Sequence, residues 1–171
     1  MPAVITKGTI EDAEVLSTLG AKTFYETFAS HNTAEDMLQH IQQHFTPATI
    51  QKEFSEKGVQ FFLARLDEEV AGYAKLRRTQ KPHELYGLKH IELERIYVLQ
   101  SFQGNRIGLL LMNECIQYAR RKKYEILWLG VWEHNQKAIA FYKKLGFTVF
   151  SEHEFVLGTD KQNDYLMKLV L

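Results

Sequence analysis

Hydrophobic positions follow two different spacings along this chain, and the spacing changes near residue 60. Before it, Val15, Leu16, Leu19, Phe24 and Phe28 share one face at helical intervals. Thr9 or Asp12 is suited to cap that helix. Thr33-Ala34-Glu35-Asp36 opens a second helix, with carboxylates where the helix dipole favours them. Pro47 suits the first turn of a third. A short strand, Ala3-Val4-Ile5, precedes all three.

After residue 60 the pattern shortens. Gln60 to Leu66 and Val70 to Leu76 flank Asp67-Glu68-Glu69 and predict a β-hairpin. Lys81 to Glu84 reads as a loop and Ile91 to Val98 as a strand. Arg106 to Arg121 reads as a helix bearing Ile107, Leu110, Leu111 and Tyr118. Ile126 to Val131 is almost wholly apolar, as in the buried middle of a sheet. His134 to Leu145 carries Ala138, Phe141, Tyr142 and Leu145 on one face, and Gly146 stands where a glycine ends a helix. Thr148 to Val156 and Tyr165 to Leu171 close the chain as strands. The class is α+β, with strand, helix, strand, helix, strand in the second half.

Composition narrows the setting. With 171 residues, 45% hydrophobic and 25% charged, the expectation is one domain spanning residues 1–171. The formal net charge of 0 supplies no global field for nucleic acid or an anionic membrane. The single cysteine, Cys115, excludes an intramolecular disulfide and suits a reducing cytoplasm. Met1 to Lys7 lacks the apolar core of a signal peptide and no later segment could span a bilayer, so the expected location is cytoplasmic.

Two motifs carry chemistry. Gln103-Gly104-Asn105-Arg106-Ile107-Gly108 follows a strand and opens a helix, where free backbone N–H groups and the positive dipole end can cradle a pyrophosphate. It is neither a triphosphate-binding loop nor a dinucleotide turn. Downstream stands Asn135-x-x-Ala138-x-x-x-Tyr142-x-x-x-Gly146-Phe147. Together these resemble the GCN5-related N-acetyltransferase (GNAT) superfamily. Its members carry a (Gln/Arg)-x-x-Gly-x-(Gly/Ala) turn for acetyl-CoA and the Asn-Ala-Tyr-Gly-Phe pattern on the next helix. Glu92 to Tyr97, Trp128 to Glu133 and Ala138 to Phe147 look closest to the bacterial spermidine/spermine N-acetyltransferases first described as regulators of protease production and sporulation. Arg106 departs from the pattern by standing at the first motif glycine. Its guanidinium either meets a phosphate or faces solvent from the first turn.

The resemblance implies a mixed, mostly antiparallel sheet of about seven strands flanked by helices, with a splayed central strand pair holding acetyl-CoA. It assigns coenzyme contacts to Ile96, Tyr97 and Val98 on the strand, to Gln103, Gly104, Asn105, Arg106, Ile107 and Gly108 in the turn, and to Asn135, Ala138, Phe141 and Tyr142 on the later helix. It makes Tyr142 the acid for the leaving thiolate. A primary amine of pKa ~10.4 is neutral in only about one molecule in 2,500 at pH 7, so a base is needed. Glu92 and Glu94, on one face of an unbroken strand, are the candidates.

The expected reaction is acetyl transfer from acetyl-CoA to a primary amine, a polyamine first, by direct attack on the thioester. The alternatives are another amine (a protein N-terminus, an amino acid or an antibiotic), or a non-catalytic acyl-CoA-binding regulator. A DNA-binding regulator is disfavoured by the neutral charge and the lack of a helix-turn-helix. In the superfamily, the early helices and the loop before the fourth strand form an acceptor wall, here Phe24, Tyr25, Glu26, Phe28, Glu35, Asp36 and Glu84. His40 and His44 sit four apart but lack a third ligand, so no metal is expected. Arg120 to Lys123 suits a helix C-terminus, and Cys115 suits packing. The closing strands could stay in one sheet or pair across a homodimer.

Overall fold

The computed structural model describes residues 2–171. Seven strands form one mixed sheet: β1 (Val4–Lys7), β2 (Gln60–Leu66), β3 (Glu69–Arg77), β4 (His90–Val98), β5 (Ile126–Trp132), β6 (Thr148–Leu157) and β7 (Asp160–Val170). Their spatial order is β1-β2-β3-β4-β5-β7-β6. Every neighbouring pair is antiparallel except β4 and β5, which run parallel. Five α-helices flank the sheet: α1 (Ala13–Phe28), α2 (Ala34–His44), α3 (Pro47–Ser55), α4 (Ile107–Arg121) and α5 (Gln136–Lys144). The two closing strands pair within this sheet.

The faces are set by side-chain alternation. On one face α4 and α5 bury Ile107, Leu111, Cys115, Ile139 and Tyr142 against Ile91, Leu93, Leu127, Leu129 and Val131 of the central strands. On the other, α1 and α3 bury Leu16, Leu19 and Ile50 against Phe61, Leu63 and Tyr73. Farther along that face Phe24, Phe28, Met37 and Phe45 meet Trp132 and Leu157.

Helix ends follow local chemistry. The Thr33 and Thr46 hydroxyls accept the backbone N–H groups of Asp36 and Thr49, capping α2 and α3. Asn135 caps α5 in the same way through Ala138, which starts that helix two residues later than the hydrophobic pattern predicts. Strand β7 begins five residues earlier than Tyr165, because the polar stretch from Asp160 pairs along β6 in an edge hairpin.

Two features of β4 make the site. Its register against β3 jumps between Lys75 and Leu76, which face Arg95 and Leu93 respectively. Glu94 is therefore the extra residue of a β-bulge. The bulge switches strand parity: Ile91 and Leu93 point to the α4 face, and after it Ile96 and Val98 do. Glu92, Glu94 and Arg95 consequently meet on the α1 face, so the unbroken strand expected from sequence is corrected to a kinked one. Second, β4 pairs with β5 only from His90 to Glu92, and the rest of the two strands diverge.

Candidate active site

The divergence of β4 and β5 opens a cavity of about 1140 Å³ that runs through the sheet between its two faces. At one end lies the N-terminus of α4. Arg106 occupies its N-cap position with φ 58° and ψ 18°, a left-handed conformation that glycine adopts most readily, and its side chain caps nothing. The backbone N–H groups of the first turn, at Ile107, Gly108 and Leu109, are left for a ligand, and all three residues line the cavity. This is the arrangement a pyrophosphate needs. The position of the family glycine thus keeps its backbone geometry although its residue is arginine.

The flanking turn is tied down from two sides. Gln103 donates to the Val98 carbonyl at 3.3 Å and accepts from Lys137 Nζ at 2.9 Å. Of the coenzyme residues expected from sequence, Ile96, Tyr97, Val98, Gln103, Gly104, Arg106, Ile107, Gly108, Asn135, Ala138, Phe141 and Tyr142 line the cavity. Asn105 does not: its amide turns back to the Phe102 carbonyl at 3.0 Å. Asn135 spends its side-chain oxygen on the α5 cap, leaving its amide nitrogen for a ligand. Burial pushes the Tyr142 phenol well above its ordinary value, helped by Tyr97, so it stays protonated and able to donate.

On the α1 face the cavity meets an ion lattice. Glu53 of α3 accepts two hydrogen bonds from Arg95, at 2.9 and 3.0 Å, and also pairs with Lys75. Lys75 and Arg77 reach Glu94, and Arg77 Nε donates to Glu92 at 2.6 Å. Three carboxylates and three cations balance. Burial raises Glu92 above the usual carboxylate range, and Arg77 only partly offsets it. For Glu94 burial also acts upward, but Arg95, Lys75 and Arg77 outweigh it and hold the group below its ordinary value.

The expected acceptor wall divides. Phe24, Glu26 and Phe28 line the cavity; Tyr25, Glu35, Asp36 and Glu84 do not. Asp36 instead holds the β6–β7 turn, accepting from the Thr159 backbone and hydroxyl at 3.1 and 3.0 Å. Gly158 beside it admits no side chain, since a Cβ there would overlap the Asp36 carboxylate. Glu84 accepts from Ser151 at 2.7 Å on another part of the surface. Sequence reasoning gave no place in the wall to His31, His40, Trp132, Phe155 and Asp164, which complete it. Trp132 lay in plain view as the end of an apolar strand, but a carboxylate in the polar start of β7 carried no motif. His40 stacks on Phe24 with ring centroids 4.2 Å apart, and among the described residues no group of three His, Cys, Asp or Glu gathers for a metal.

Comparisons with known proteins agree with this geometry. The sequence model of the acetyltransferase (GNAT) family matches residues 20–147. An uncharacterized N-acetyltransferase from the pepI 3' region of Lactobacillus delbrueckii subsp. lactis is 39% identical over 153 residues, covering 90% of this chain and 88% of that one. An uncharacterized N-acetyltransferase of Mycobacterium tuberculosis is 28% identical over 156 residues, 91% of this chain and 96% of the relative. Among solved structures, the PaiA N-acetyltransferase of Thermoplasma acidophilum in complex with coenzyme A superposes with a TM-score of 0.81 at 22% identity over 100% of both chains. Ribosomal-protein-alanine N-acetyltransferase from Brucella melitensis gives 0.71 at 20% identity over 98% of this chain and 99% of that one.

Proposed function

The chain belongs to the acetyltransferase (GNAT) family and is an acetyl-CoA-dependent N-acetyltransferase, and we propose that its acceptor is a polyamine such as spermidine or spermine. The observation that carries the proposal is the wall facing the splayed strands. Phe24, Phe28, Trp132 and Phe155 offer aromatic faces there, and Glu26 and Asp164, which form no ion pair with a lysine or arginine among the described residues, offer carboxylates. Extended polycations are bound by that pairing of charge and cation–π contact.

The donor half of the reading assigns the coenzyme's phosphates to the first turn of α4 and its thiol-bearing arm to the gap beside Ile96, Tyr97 and Val98. Bound acetyl-CoA supplies the thioester. Tyr142 donates the proton to the leaving sulfur, and backbone N–H groups on β4 polarise the carbonyl. Of the two strand carboxylates proposed as base, Glu92 is the more basic, while its oxygen is engaged by Arg77.

The test is release of free thiol from acetyl-CoA in the presence of an amine panel. Turnover with spermidine and spermine, and none with amino acids or peptides, is the expected result. Turnover with alanine-terminated peptides alone would replace the polyamine by a protein N-terminus. Binding of acetyl-CoA with no turnover on any amine would make the protein a regulator.

A further inference from the structure

We propose that Asp164 takes the proton of the incoming amine, because its carboxylate lies over Gly130 at the open gap between β4 and β5 and faces no Lys or Arg among the described residues. The inference rests on the acetyl-transfer reading of the same cavity. It gives that reaction a base that lies outside the β4 strand.

Position comes first. In β7, Asp164 is the register partner of Trp132 on β5 and of His153 on β6. Its side chain therefore lies on the α1 face, where the acceptor wall stands. A Cβ placed on Gly130 would come within 3.5 Å of Asp164 Oδ2, so the carboxylate projects across the glycine toward the gap. It lines the cavity along with Tyr97, Trp132 and Tyr142. The Tyr97 phenol, held high mainly by burial, also feels the charges of Asp164 and Glu94 from across the gap.

An open acceptor without a counter-ion singles the residue out further. Asp164 Oδ1 is buried and has no partner. A buried acceptor left open costs stability, and an ammonium N–H directed at it would satisfy it. Glu94 Oε2 is also buried without a hydrogen-bond partner, but Glu92 and Glu94 differ in charge pairing: Glu92 is matched by Arg77, and Glu94 by Lys75, Arg77 and Arg95.

The groups around Asp164 also keep it basic. Glu133 at the end of β5, Tyr97 on β4, His153 on β6, and His31 and His134 beside Trp132 are the titratable neighbours; none is a lysine or arginine. Burial, with the Glu133 charge added, raises the carboxyl to about 6. A base of that strength is ionised at pH 7 yet receives a proton more readily than an ordinary aspartate.

The step balances as follows. One ammonium proton passes to Asp164, and the freed lone pair forms the C–N bond at the thioester carbonyl carbon. The C–S bond breaks. The second nitrogen proton ends on sulfur by way of the Tyr142 hydroxyl, and Asp164 returns its proton to water. The products are an amide, a thiol and one proton.

The experiment compares pH profiles of kcat/KM for the parent, Asp164→Asn and Glu92→Gln. The acceptor is whichever panel amine turns over, set against methoxyamine, whose nitrogen is weakly basic enough to stay neutral through the pH range of that limb. With the basic amine the parent activity should fall below about pH 6. Asp164→Asn should lose ~10²-fold or more at pH 7 and lose that acid limb. Its affinity for coenzyme A, measured by calorimetry, should be unchanged. Glu92→Gln should keep the limb. The weakly basic amine, already neutral, should show little dependence on Asp164. Retention of rate and limb in Asp164→Asn overturns the proposal and leaves acetyl transfer standing. Should that variant fail to fold, the parent decides: an identical acid limb with both amines overturns the proposal, and a limb confined to the basic amine supports it. No turnover by the parent with any amine overturns the acetyl-transfer reading and this proposal with it.

Discussion

Lys137 Nζ donates a 2.9 Å hydrogen bond to Gln103 Oε1, joining the first turn of α5 to the loop that opens α4. The same Gln103 reaches the Val98 carbonyl at the end of β4 through its amide nitrogen. One side chain therefore holds the coenzyme turn, the splayed strand and the second motif helix in register.

Replacing Gln103 with alanine should weaken acetyl-CoA binding while sparing the chemical step. Two exposed hydrogen bonds contribute roughly 1–2 kcal/mol together, and ~1.4 kcal/mol is a factor of ten in binding. A rise of about tenfold in the KM for acetyl-CoA with kcat little changed is expected from steady-state kinetics. Equal KM values would show that the turn holds its shape without Gln103.

Arg106 separates backbone from side chain. A non-glycine residue in the left-handed region costs ~1–2 kcal/mol, and glycine loses roughly 0.5–1 kcal/mol through chain entropy, so Arg106→Gly should fold about as stably as the parent. Arg106→Ala retains the strained φ of 58° without the guanidinium. Both should bind acetyl-CoA several-fold less tightly at low ionic strength, and the deficit should shrink in high salt as screening grows. Calorimetric titration at two salt concentrations checks this. Affinities equal to the parent in both variants would place the guanidinium in solvent.

The element order was legible because each buried face obeys one period, as with the hairpin of β2 and β3 or the apolar run of β5. The turn from Gln103 and the Asn135–Tyr142 helix were legible because they form compact motifs. What escaped depends on register and long-range pairing. The bulge at Glu94 leaves no local mark in Ile91 to Val98, yet it decides that Glu94 and Arg95 share a face. Asp36 and Glu84 look like free acids in sequence and are latches in space, held by Thr159 and Ser151. Glu53 drew no notice as one acid in a short amphipathic helix, because its partners lie 22 and 42 residues away on other strands.

That buried Glu53 should be the most sensitive position of the ion lattice. Its alanine variant would leave Lys75 and Arg95, 2% and 9% exposed, facing each other without the carboxylate between them. Removing one member of a buried ion network costs ~3–5 kcal/mol. Urea unfolding should show a loss of that size, with turnover falling as the acceptor wall loosens. A change below ~1 kcal/mol would mean that water or Glu94 takes over the pairing.

Tyr142→Phe should lower kcat by ~10²-fold while leaving the KM for acetyl-CoA near the parent value, as expected for loss of a general acid. The ring stays packed against Phe147, so stability should change little. Normal turnover in this variant would move the acid role to water.

His40 provides a stability test that does not depend on turnover. Burial, with the charges of His44 and Arg95 added, lowers its imidazole to about 4. An unfolded chain protonates this histidine near its ordinary value of ~6.5, whereas the folded protein refuses the proton until about pH 4. The unfolded state thus binds more protons between those limits, and this group makes the fold less stable as pH falls through that window. Above ~6.5 the contribution is full and constant. His40→Phe keeps an aromatic ring stacked on Phe24 and removes the titration. Its Tm should therefore fall less than the parent's when the pH is lowered from 7.5 to 4.5, on a scale of roughly RT ln 10 per unit of pH for one proton. Parallel decline of the two proteins across that range would show that His40 accepts its proton in the folded state, with the stack opening to let it do so.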